Sequence, residues 1–443
     1  MRVSVIGCGH LGASHAAAMA ELGHEVIGVE IDPDKCATLA GGAGWFYEKG
    51  LDPLLAKHVP TGRLRFTTSL ADAADFADVH FLAVGTPLRD DGEGYDVSQV
   101  LSAVEGLVPL LTRPATIMGK STVTVGTVAR LQALIADLAP VEGVELVWNP
   151  EFLREGHAVE DSLRPDRILV GLSSPAALDA VREVYAPILE RGDIDMVVTD
   201  PATAEVAKSA ANAFLAMKVS YINAMAQVCE AVGANVDDVA RTMGIDHRIG
   251  HAGMRPGIGF GGGCLPKDVA AFTHRAGELG ATEAHDLLTA VQNVNRSRTT
   301  AAADLVEHAA GRSVRGLTIG YLGAAFKAGT SDVRDSPALR LAELLHRRGA
   351  SIVVHDPEAL DNARRSHPHL GFGATALEAV TGADLVVLAT EWPDYTRDGH
   401  LPAAVGEVVR ERIVVDIRNA VDATPWLDAG WTLHQLGRPA RKQ

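Results

Sequence analysis

Short apolar stretches, each closed by a turn of small or polar residues, recur through the first part of the chain. They occupy residues 3–6, 26–30, 77–87, 117–123, 144–148 and 168–171. A strand that is buried on both faces appears in the sequence as a continuous apolar run, and strands of this kind are typical of parallel sheets. An Ala-rich segment that extends to about Leu22 has the character of a helix and follows the first strand. This alternation predicts an α/β domain.

The middle of the chain changes to helical spacing. Residues 201–232 have no internal Pro or Gly and repeat apolar positions at helical intervals, which predicts one helix of about 30 residues. A helix of this length is expected to join domains or to pack against a partner chain. A second helical block is predicted at 236–243. Lys208 and Asn212 are four residues apart and so share one face of the long helix; a solvated lysine is the alternative interpretation.

After Gly311 the strand pattern returns in weaker form at residues 317–323, 352–357, 383–390 and 412–416. This internal repeat predicts a second doubly wound unit. Its glycine spacing is imperfect, so a second dinucleotide is not expected, although the same geometry could hold another nucleotide. The predicted fold is α/β, with two Rossmann-like doubly wound parallel-sheet domains joined by a long central helix and a helical middle domain.

Composition narrows the classes of function. The 443 residues carry a net charge of −16, which argues against nucleic acid or an anionic membrane as partner. The four cysteines form no CxxC pair, so a zinc ribbon or disulfide framework is not indicated, and a cytoplasmic location is expected. His247 and His251 lie in a Gly-rich stretch with no carboxylate at helical spacing, so no metal is predicted. No apolar run reaches the roughly 18 residues that span a bilayer.

The turn after the first strand has the spacing G-x-G-x-x-G, at Gly7, Gly9 and Gly12, and a helix and a second strand follow it. In this setting the first glycine makes the tight turn, the second admits a pyrophosphate, and the third lets the helix pack on the strand. Glu30 lies eighteen residues past Gly12 and can accept both ribose hydroxyls. No Arg follows it directly, so NAD is favoured over NADP.

Three further strands end in turns that carry polar or small residues. They end at Gly85 and Thr86, at residues 120–122, and at residues 149–156. Ligands of such sheets gather at the carboxyl ends of strands. A shared cleft is therefore predicted, although helix capping is the common role of Ser and Thr at such places.

Residues 259–268 place four glycines directly before Cys264, with Lys267 and Asp268 just after it. Glycine allows a ligand to approach the backbone closely, and neighbouring charge tunes a thiol. A nucleophilic cysteine is predicted here. The alternative is a flexible loop with an incidental cysteine.

Taken together, these motifs resemble the UDP-glucose/GDP-mannose 6-dehydrogenase family, the nucleotide-sugar dehydrogenases. The matching sequence motifs, in chain order, are GxGxxG at Gly7, VGTP at Val84, KSTV at Lys120, NPEFLREG at Asn149, KSAANAFLAMK at Lys208, GFGGGCLPKD at Gly259, AFKAGTSDVRDSP at Ala325 and VVDIRN at Val414. The resemblance implies a four-electron oxidation of a sugar C6 alcohol to the carboxylate with two NAD. It also implies an NAD-binding domain at 1–198, a central dimerisation domain at 199–310 and a nucleotide-sugar (UDP)-binding domain at 311–443, with the nucleotide sugar between the two nucleotide-type domains.

The resemblance also implies roles for individual residues. Cys264 would be the nucleophile. Lys208, with Asn212 beside it, would stabilise oxyanions or accept a proton, and Asp268 would act with Lys208 through a water. Thr122 and Glu151 would place and activate the hydrolytic water. The implied NAD-binding residues are Gly7, Gly9, His10, Leu11, Gly12, Glu30, Lys35, Gly85, Thr86, Thr122, Glu155, Lys267 and Arg334. The implied substrate-binding residues are Glu151, Phe152, Leu153, Glu155, Lys208, Asn212, Phe260, Gly261, Lys327 and Arg248, the last reaching over from the neighbouring subunit of a homodimer.

The sequence departs from the family pattern in several places, and the substrate stays open. Glu30 stands where Asp is usual and Thr124 where Pro is frequent. Residues 254–257 also differ, in a segment that the resemblance implies touches base and sugar. UDP-glucose is the first expectation, followed by GDP-mannose and UDP-N-acetylhexosamines. The competing classes are a two-electron hydroxyacid-type dehydrogenase, an epimerase or dehydratase, and an inactive NAD-binding protein. None of the six Tyr has Lys four residues on, which argues against the epimerase type.

Overall fold

The strand and helix pattern of the first part of the chain folds into a mainly parallel sheet, as predicted. The computed structural model describes residues 1–92 and 94–442. Within these residues the first sheet has eight strands: β1 Arg2–Ile6, β2 Glu25–Val29, β3 Leu64–Thr67, β4 Val79–Leu82, β5 Ala115–Gly119, β6 Val144–Trp148, β7 Arg167–Leu172 and β8 Asp195–Thr199. Their spatial order is β3-β2-β1-β4-β5-β6-β7-β8. The order reverses between β1 and β4, where a doubly wound sheet opens its ligand crevice.

One strand pair differs from the predicted parallel arrangement. β7 pairs antiparallel with β6, through Val147 with Leu172 and Trp148 with Gly171. A parallel return needs a crossover along the whole strand. Here the segment 149–166 contains only one short helix, so β7 starts near the carboxyl end of β6 and runs back. This keeps the predicted site segment at that edge of the sheet.

Helices cover both faces of this sheet. On one face Val3, Val5 and Phe81 pack in a cluster with α1, and on the other Leu82 and Ile117 pack with residues of α5 and α6. Burial on both faces explains why these strands read as unbroken apolar runs. The helices are α1 His10–Glu21, α2 Pro33–Ala40, α3 Leu51–His58, α4 Leu70–Phe76, α5 Ser98–Leu107, α6 Thr127–Leu138, α7 Ala158–Leu163 and α8 Leu178–Leu189.

Four helices form the middle of the chain: α9 Pro201–Val232, α10 Val236–Ile245, α11 Leu265–Glu278 and α12 Thr282–Ala310. The predicted long helix is confirmed as α9, with 32 residues. The 29-residue α12 has no counterpart in the sequence-based prediction. Its buried stripe contains the polar Asn295 and Arg298 among Leu288, Val291 and Ala302, so its apolar period is interrupted. In the described part of the chain, no helix combines the length and the apolar character needed to cross a membrane.

The second sheet confirms the internal repeat. Its strands are β9 Thr318–Leu322, β10 Ser351–His355, β11 Gly371–Phe372, β12 Leu385–Leu388, β13 Ile413–Asp416 and β14 Thr432–Gln435. They are parallel and lie in the order β11-β10-β9-β12-β13-β14, which is the order of the first six strands of the first sheet. The accompanying helices are α13 Pro337–Arg347, α14 Leu360–Ser366, α15 Ala376–Val380, α16 Pro393–Thr396, α17 Leu401–Gly406 and α18 Ala423–Asp428.

The chain divides into two compact units. The first comprises residues 1–211 and 270–279, and the second comprises residues 212–269 and 280–443. α9 begins in the first unit and continues into the second. The division into three domains at residues 198 and 310 stays a prediction.

Candidate active site

The three glycines of the first turn have three different surroundings. Gly7 has a φ of +89°, in the left-handed region that favours glycine, and a Cβ on Gly12 would lie 1.8 Å from the Gly7 carbonyl oxygen. A Cβ on Gly9 would meet no atom within 4 Å. The open side of Gly9 therefore leaves room at the N-terminus of α1, where a dinucleotide pyrophosphate is stabilised by backbone N–H groups. These residues fit NAD.

Glu30 is held beside this turn. Its Oε2 accepts a hydrogen bond from the Cys8 backbone N–H at 3.2 Å, and its Oε1 accepts one from the Asp32 N–H at 3.0 Å. Only 8% of the residue is exposed. A carboxylate fixed at this position can accept hydrogen bonds from ribose hydroxyls and repels the 2′-phosphate of NADP.

Two of the expected cofactor residues gather around an aromatic pair that the sequence analysis missed. The His10 ring lies 5.0 Å from the Trp45 ring and 4.2 Å from the Phe46 ring, and Lys35 Nζ lies 4.6 Å from the Trp45 ring. The Trp45 indole donates to the Cys8 carbonyl at 3.1 Å. Adjacent aromatics in a chain with only 5% aromatic residues were a usable signal.

The tips of β4 and β5 are polar but largely buried. Thr86, Ser121 and Thr122 are all buried, and Ser121 Oγ donates to the Val84 carbonyl at 2.7 Å. The ammonium of Lys120 donates to Asn149 Oδ1 at 3.0 Å and to the Tyr185 hydroxyl at 3.3 Å. Burial lowers the pKa of Lys120 to about 8, with the Glu151 carboxylate opposing this shift and the Lys208 charge adding to it. Lys120 is thus enclosed in a polar network and does not form an exposed tip.

The segment after β6 places a carboxylate against the long helix. Glu151 Oε1 accepts a hydrogen bond from Lys208 Nζ at 3.0 Å, and Glu151 Oε2 accepts one from the Leu153 N–H at 2.5 Å. Only 4% of Lys208 is exposed. The Arg167 guanidinium lies over the Phe152 ring, 3.7 Å from the ring centroid. The structure therefore joins the predicted catalytic residues Glu151 and Lys208 in one partly buried ion pair.

Two carboxylates brace this segment. Asp161 accepts hydrogen bonds from the Arg154 backbone N–H and guanidinium, and buried Glu48 accepts from the Gly156 and Ala158 N–H groups at 2.8 and 2.9 Å. Glu48 lies just before α3 and is not part of a sequence motif. No signal in the sequence therefore identified it as a supporting residue of the site. The partly exposed Glu155 lies between these two supports.

In the second unit, Cys264 is exposed and directly precedes the first residue of α11. The Asp268 N–H donates to the Cys264 carbonyl at 2.9 Å, which closes the first turn of this helix. The N-terminus of a helix favours negative charge. The thiol is therefore presented at the end of a helix, as a nucleophile requires.

Asp268 is only 2% exposed and is surrounded by donors. It accepts hydrogen bonds from Asn212 Nδ2 and from Lys267 Nζ, each at 2.6 Å. Two predicted catalytic residues, Asn212 and Asp268, and one predicted cofactor residue thus meet one helical turn past the thiol. Lys208 lies one turn before Asn212 on α9.

The glycine loop before Cys264 is clamped by side chains that the sequence analysis missed. Asn295 accepts from the Phe260 N–H at 2.8 Å and donates to the Phe260 carbonyl at 2.9 Å. Asn223 Oδ1 accepts from the Gly257 N–H at 2.9 Å, and Arg298 Nε donates to the Gly257 carbonyl at 3.3 Å. Holding the N–H and the carbonyl of both Phe260 and Gly257 in this way defines the path of the loop.

Three expected ligand-binding cations lie in the second unit. The Arg334 guanidinium is paired with Asp332 and lies beside Gly263, where an added Cβ would be only 2.7 Å from it. Lys327 Nζ lies 5.5 Å from the Phe326 ring, which is beside Gly262. Arg248 is paired with Asp246 and leaves 78% of its side chain exposed.

The second sheet uses its acidic residue differently from Glu30. Asp356 follows β10 and accepts hydrogen bonds from the Ala324, Ala325, Glu358 and Ala359 N–H groups and from the Trp392 indole. A carboxylate has about four lone-pair sites. With five donors already bound, Asp356 has no capacity left for a ribose, which agrees with the expectation of a single dinucleotide.

Comparison with known proteins covers nearly the whole chain. The three models of the UDP-glucose/GDP-mannose dehydrogenase family match in order: the NAD binding domain over residues 1–189, the central domain over 202–297 and the UDP binding domain over 320–423.

Relatives and solved structures agree with these matches. The UDP-glucose 6-dehydrogenase of Rhizobium meliloti is 39% identical over 99% of this chain and 100% of its own length. That of Pseudomonas aeruginosa is 38% identical over 99% of this chain and 98% of its own. The structure of a UDP-glucose dehydrogenase from Pyrobaculum islandicum superposes with a TM-score of 0.86 at 35% identity, over 96% of this chain and 95% of that one.

Proposed function

Since the chain belongs to the UDP-glucose/GDP-mannose dehydrogenase family, and is therefore an NAD-dependent oxidoreductase, we propose that it oxidises the C6 alcohol of UDP-glucose to the carboxylate. The full-length relatives named above support UDP-glucose as the sugar nucleotide. The structural observation that carries the four-electron outcome is the exposed Cys264 at the start of α11, one turn from the Asp268–Asn212 pair. A two-electron dehydrogenase has no need of such a thiol.

NAD, when bound, accepts a hydride in each of the two oxidation steps. Cys264 adds to the C6 aldehyde and holds it as a thiohemiacetal, and then as a thioester. Lys208 and Asn212, one turn apart on α9, stabilise the negative oxygen with an ammonium and an amide. Glu151 accepts a proton from the water that attacks the thioester, and Thr122 helps to hold this water.

Counting NADH formed for each sugar consumed tests this proposal, using a panel of UDP-glucose, GDP-mannose and UDP-N-acetylhexosamines. We expect UDP-glucose to give the highest kcat/KM, with two NADH for each sugar. Cys264→Ser should retain NAD binding but form no carboxylate. One NADH for each sugar, or carboxylate formation by Cys264→Ser at the wild-type rate, would refute the covalent step.

We propose that two chains associate through α9, with Arg248 contributing to the neighbouring site. The part of α9 in the second unit exposes large apolar side chains, at 56% for Phe214, 48% for Tyr221 and 54% for Val228. The Arg248 guanidinium donates to the nearby Asp246 and most of its side chain is exposed, so it lies at the surface. Light scattering of Phe214→Asp should show a monomer, and Arg248→Ala should raise KM for the sugar nucleotide without changing the oligomeric state.

We also propose the three-domain division at residues 198 and 310, with NAD on the first domain and the UDP group on the third. The boundaries of the family matches, at 189, 202, 297 and 320, support it. A cytoplasmic location is part of the same proposal, because catalysis needs Cys264 in its reduced form and the cytoplasm keeps thiols reduced. Labelling of Cys264 in intact cells would test the location.

A further inference from the structure

A cavity of about 50 Å³ lies in the first unit, beneath the segment that carries Glu151. This volume is sufficient for a few water molecules. Glu151, Lys120 and Tyr185 line it, together with His15 and Ser162. Apolar residues such as Phe152 and Ile168 complete the lining, but its polar groups distinguish it from a packing defect, which is apolar and dry.

Two of the lining groups need a partner that the protein does not provide. His15 Nε2 and Ser162 Oγ are buried and have no hydrogen-bond partner within residues 1–92 and 94–442. His15 is 3% exposed and Ser162 is 7% exposed. Buried polar atoms of this kind are normally satisfied by water, because leaving each one unpaired costs about 1–3 kcal/mol.

The proposed reaction creates a demand for proton transport. Oxidation of the alcohol to the aldehyde releases one proton as the hydride leaves. In the hydrolysis step a C–O bond forms, the C–S bond breaks, and Cys264 departs as the thiolate with the electron pair. Together with ionisation of the carboxylic acid, the full conversion of alcohol and water to carboxylate releases three protons for two hydrides. Glu151 must lose its proton before each new turnover.

We propose that the cavity is a hydrated proton exit for Glu151, in which water, Lys120, His15 and Ser162 form a relay to the surface. This inference rests on the role of Glu151 in the proposed function. The lining continues to Asp166, whose side chain is 97% exposed. His15, Lys120 and Ser162 act through Glu151 and are therefore positioning residues.

The electrostatics of the lining agree with this role. Burial, with the Lys120 and His24 charges, lowers the pKa of His15 well below its usual range, so the imidazole is neutral and can accept a proton at one nitrogen while it donates from the other. The pKa of Lys120, lowered to about 8, lets the ammonium exchange its proton near neutral pH. Tyr185 and Asn149 fix the position of the amine through the hydrogen bonds described above.

The test uses the full-length enzyme and compares kcat in dilute and in concentrated imidazole buffer. His15→Leu removes the relay nitrogen, and we expect kcat to fall about tenfold in dilute buffer. Concentrated imidazole should restore most of the loss, because it removes protons directly, and KM for UDP-glucose should not change. Ser162→Ala should show the same pattern more weakly. His15→Gln keeps a hydrogen-bonding group but has no nitrogen that can accept one proton and release another, so it should show the same buffer-dependent loss as His15→Leu.

Ser220→Ala is the matched control, since Ser220 is also buried but donates to the Val291 carbonyl in the second unit. It should show no buffer dependence. If His15→Leu has wild-type kcat, or a loss that is the same at every buffer concentration, the relay is refuted. If the wild-type protein oxidises no nucleotide sugar, the proposed function fails instead. Retention of activity by Glu151→Gln would overturn the assignment of the base.

Discussion

The four glycines before Cys264 lie in four different environments, and alanine substitutions should separate them. At Gly261 a methyl group would lie 2.3 Å from the Asp335 carbonyl oxygen and 2.4 Å from Pro337 Cδ. At Gly263 it would lie 2.7 Å from the Arg334 guanidinium, which is the mobile end of a long side chain. We predict that Gly261→Ala abolishes activity and that Gly263→Ala is tolerated.

The magnitudes follow from what must move. The nearest neighbour of Gly261 is a backbone atom, and the added methyl group would lie more than 1 Å closer to it than normal van der Waals contact allows. The main chain has to shift to relieve this clash, which should lower the free energy of unfolding by about 3 kcal/mol or more. Gly259 and Gly262 add backbone strain, because their φ values are +93° and +88°, and this costs about 1–2 kcal/mol for alanine. A methyl at Gly259 would also lie 2.2 Å from Asn295 Oδ1 and break the clamp on Phe260. Gly263→Ala should cost less than about 1 kcal/mol.

Urea unfolding gives the stability of each variant, and the rate of alkylation by iodoacetamide reports on the Cys264 thiol. We expect Gly259→Ala, Gly261→Ala and Gly262→Ala to lose activity by at least about a hundredfold, as displacement of a nucleophile by 1 Å does. Gly263→Ala should keep kcat and the alkylation rate, with at most a higher KM for NAD through displacement of Arg334. Equal damage at Gly261 and Gly263, or wild-type activity of Gly261→Ala, would refute this account of the loop.

Three other predictions concern the two sheets. Glu30→Ala should weaken NAD binding about tenfold to a hundredfold in a fluorescence titration, because a charged hydrogen-bond acceptor contributes about 1.5–3 kcal/mol; unchanged affinity would remove Glu30 from the NAD site. Burial lowers the pKa of His80 to about 4. Between pH 6.5 and 4 the unfolded state therefore binds a proton that the folded state does not. Over this range the free energy of unfolding of the wild type should fall by about 3 kcal/mol, and that of His80→Leu should not show this loss. Parallel pH curves of the two proteins in urea unfolding would contradict this. Asp356→Ala should cost about 3 kcal/mol or more in the same assay without weakening NAD binding, whereas the exposed Asp361→Ala should cost little; equal effects would refute the structural role of Asp356.

The regular parts of the fold could be predicted because one physical signal marks them. Strands buried on both faces leave unbroken apolar runs, and α9 has no Pro or Gly after its first residue, Pro201. α12 could not be found in the same way. Its middle buries Asn295 and Arg298, whose partners are backbone groups of the glycine loop some 35 to 41 residues earlier in the chain. Polar residues that are buried for such distant partners look like surface residues in a sequence.

The candidate site shows the same limit. Cys264, Glu151 and Lys208 stand in motifs, so they could be named before their surroundings were known. The supporting groups could not, because Glu48 and Tyr185 act only through the residues they hold. Even Lys120 was expected at a polar tip, although its ammonium is enclosed by Asn149 and Tyr185. Sequence patterns identify the members of a motif better than the residues that position them.

The two sheets also show why strand order alone does not specify a ligand. β1 and β9 hold the same place in the two orders, and each is followed by a glycine with a positive φ, Gly7 and Gly323. Beyond this turn the chemistry diverges. Gly9 leaves its side of the turn open, whereas the second residue after Gly323 is Ala325, which is fully buried. Asp356 accepts from the N–H groups of both Ala324 and Ala325, whereas Glu30 accepts from Cys8, the counterpart of Ala324, so the two turns differ at the position of Gly9 and Ala325. The ability to bind a dinucleotide therefore depends on a few backbone groups that remain available in one unit and are internally satisfied in the other.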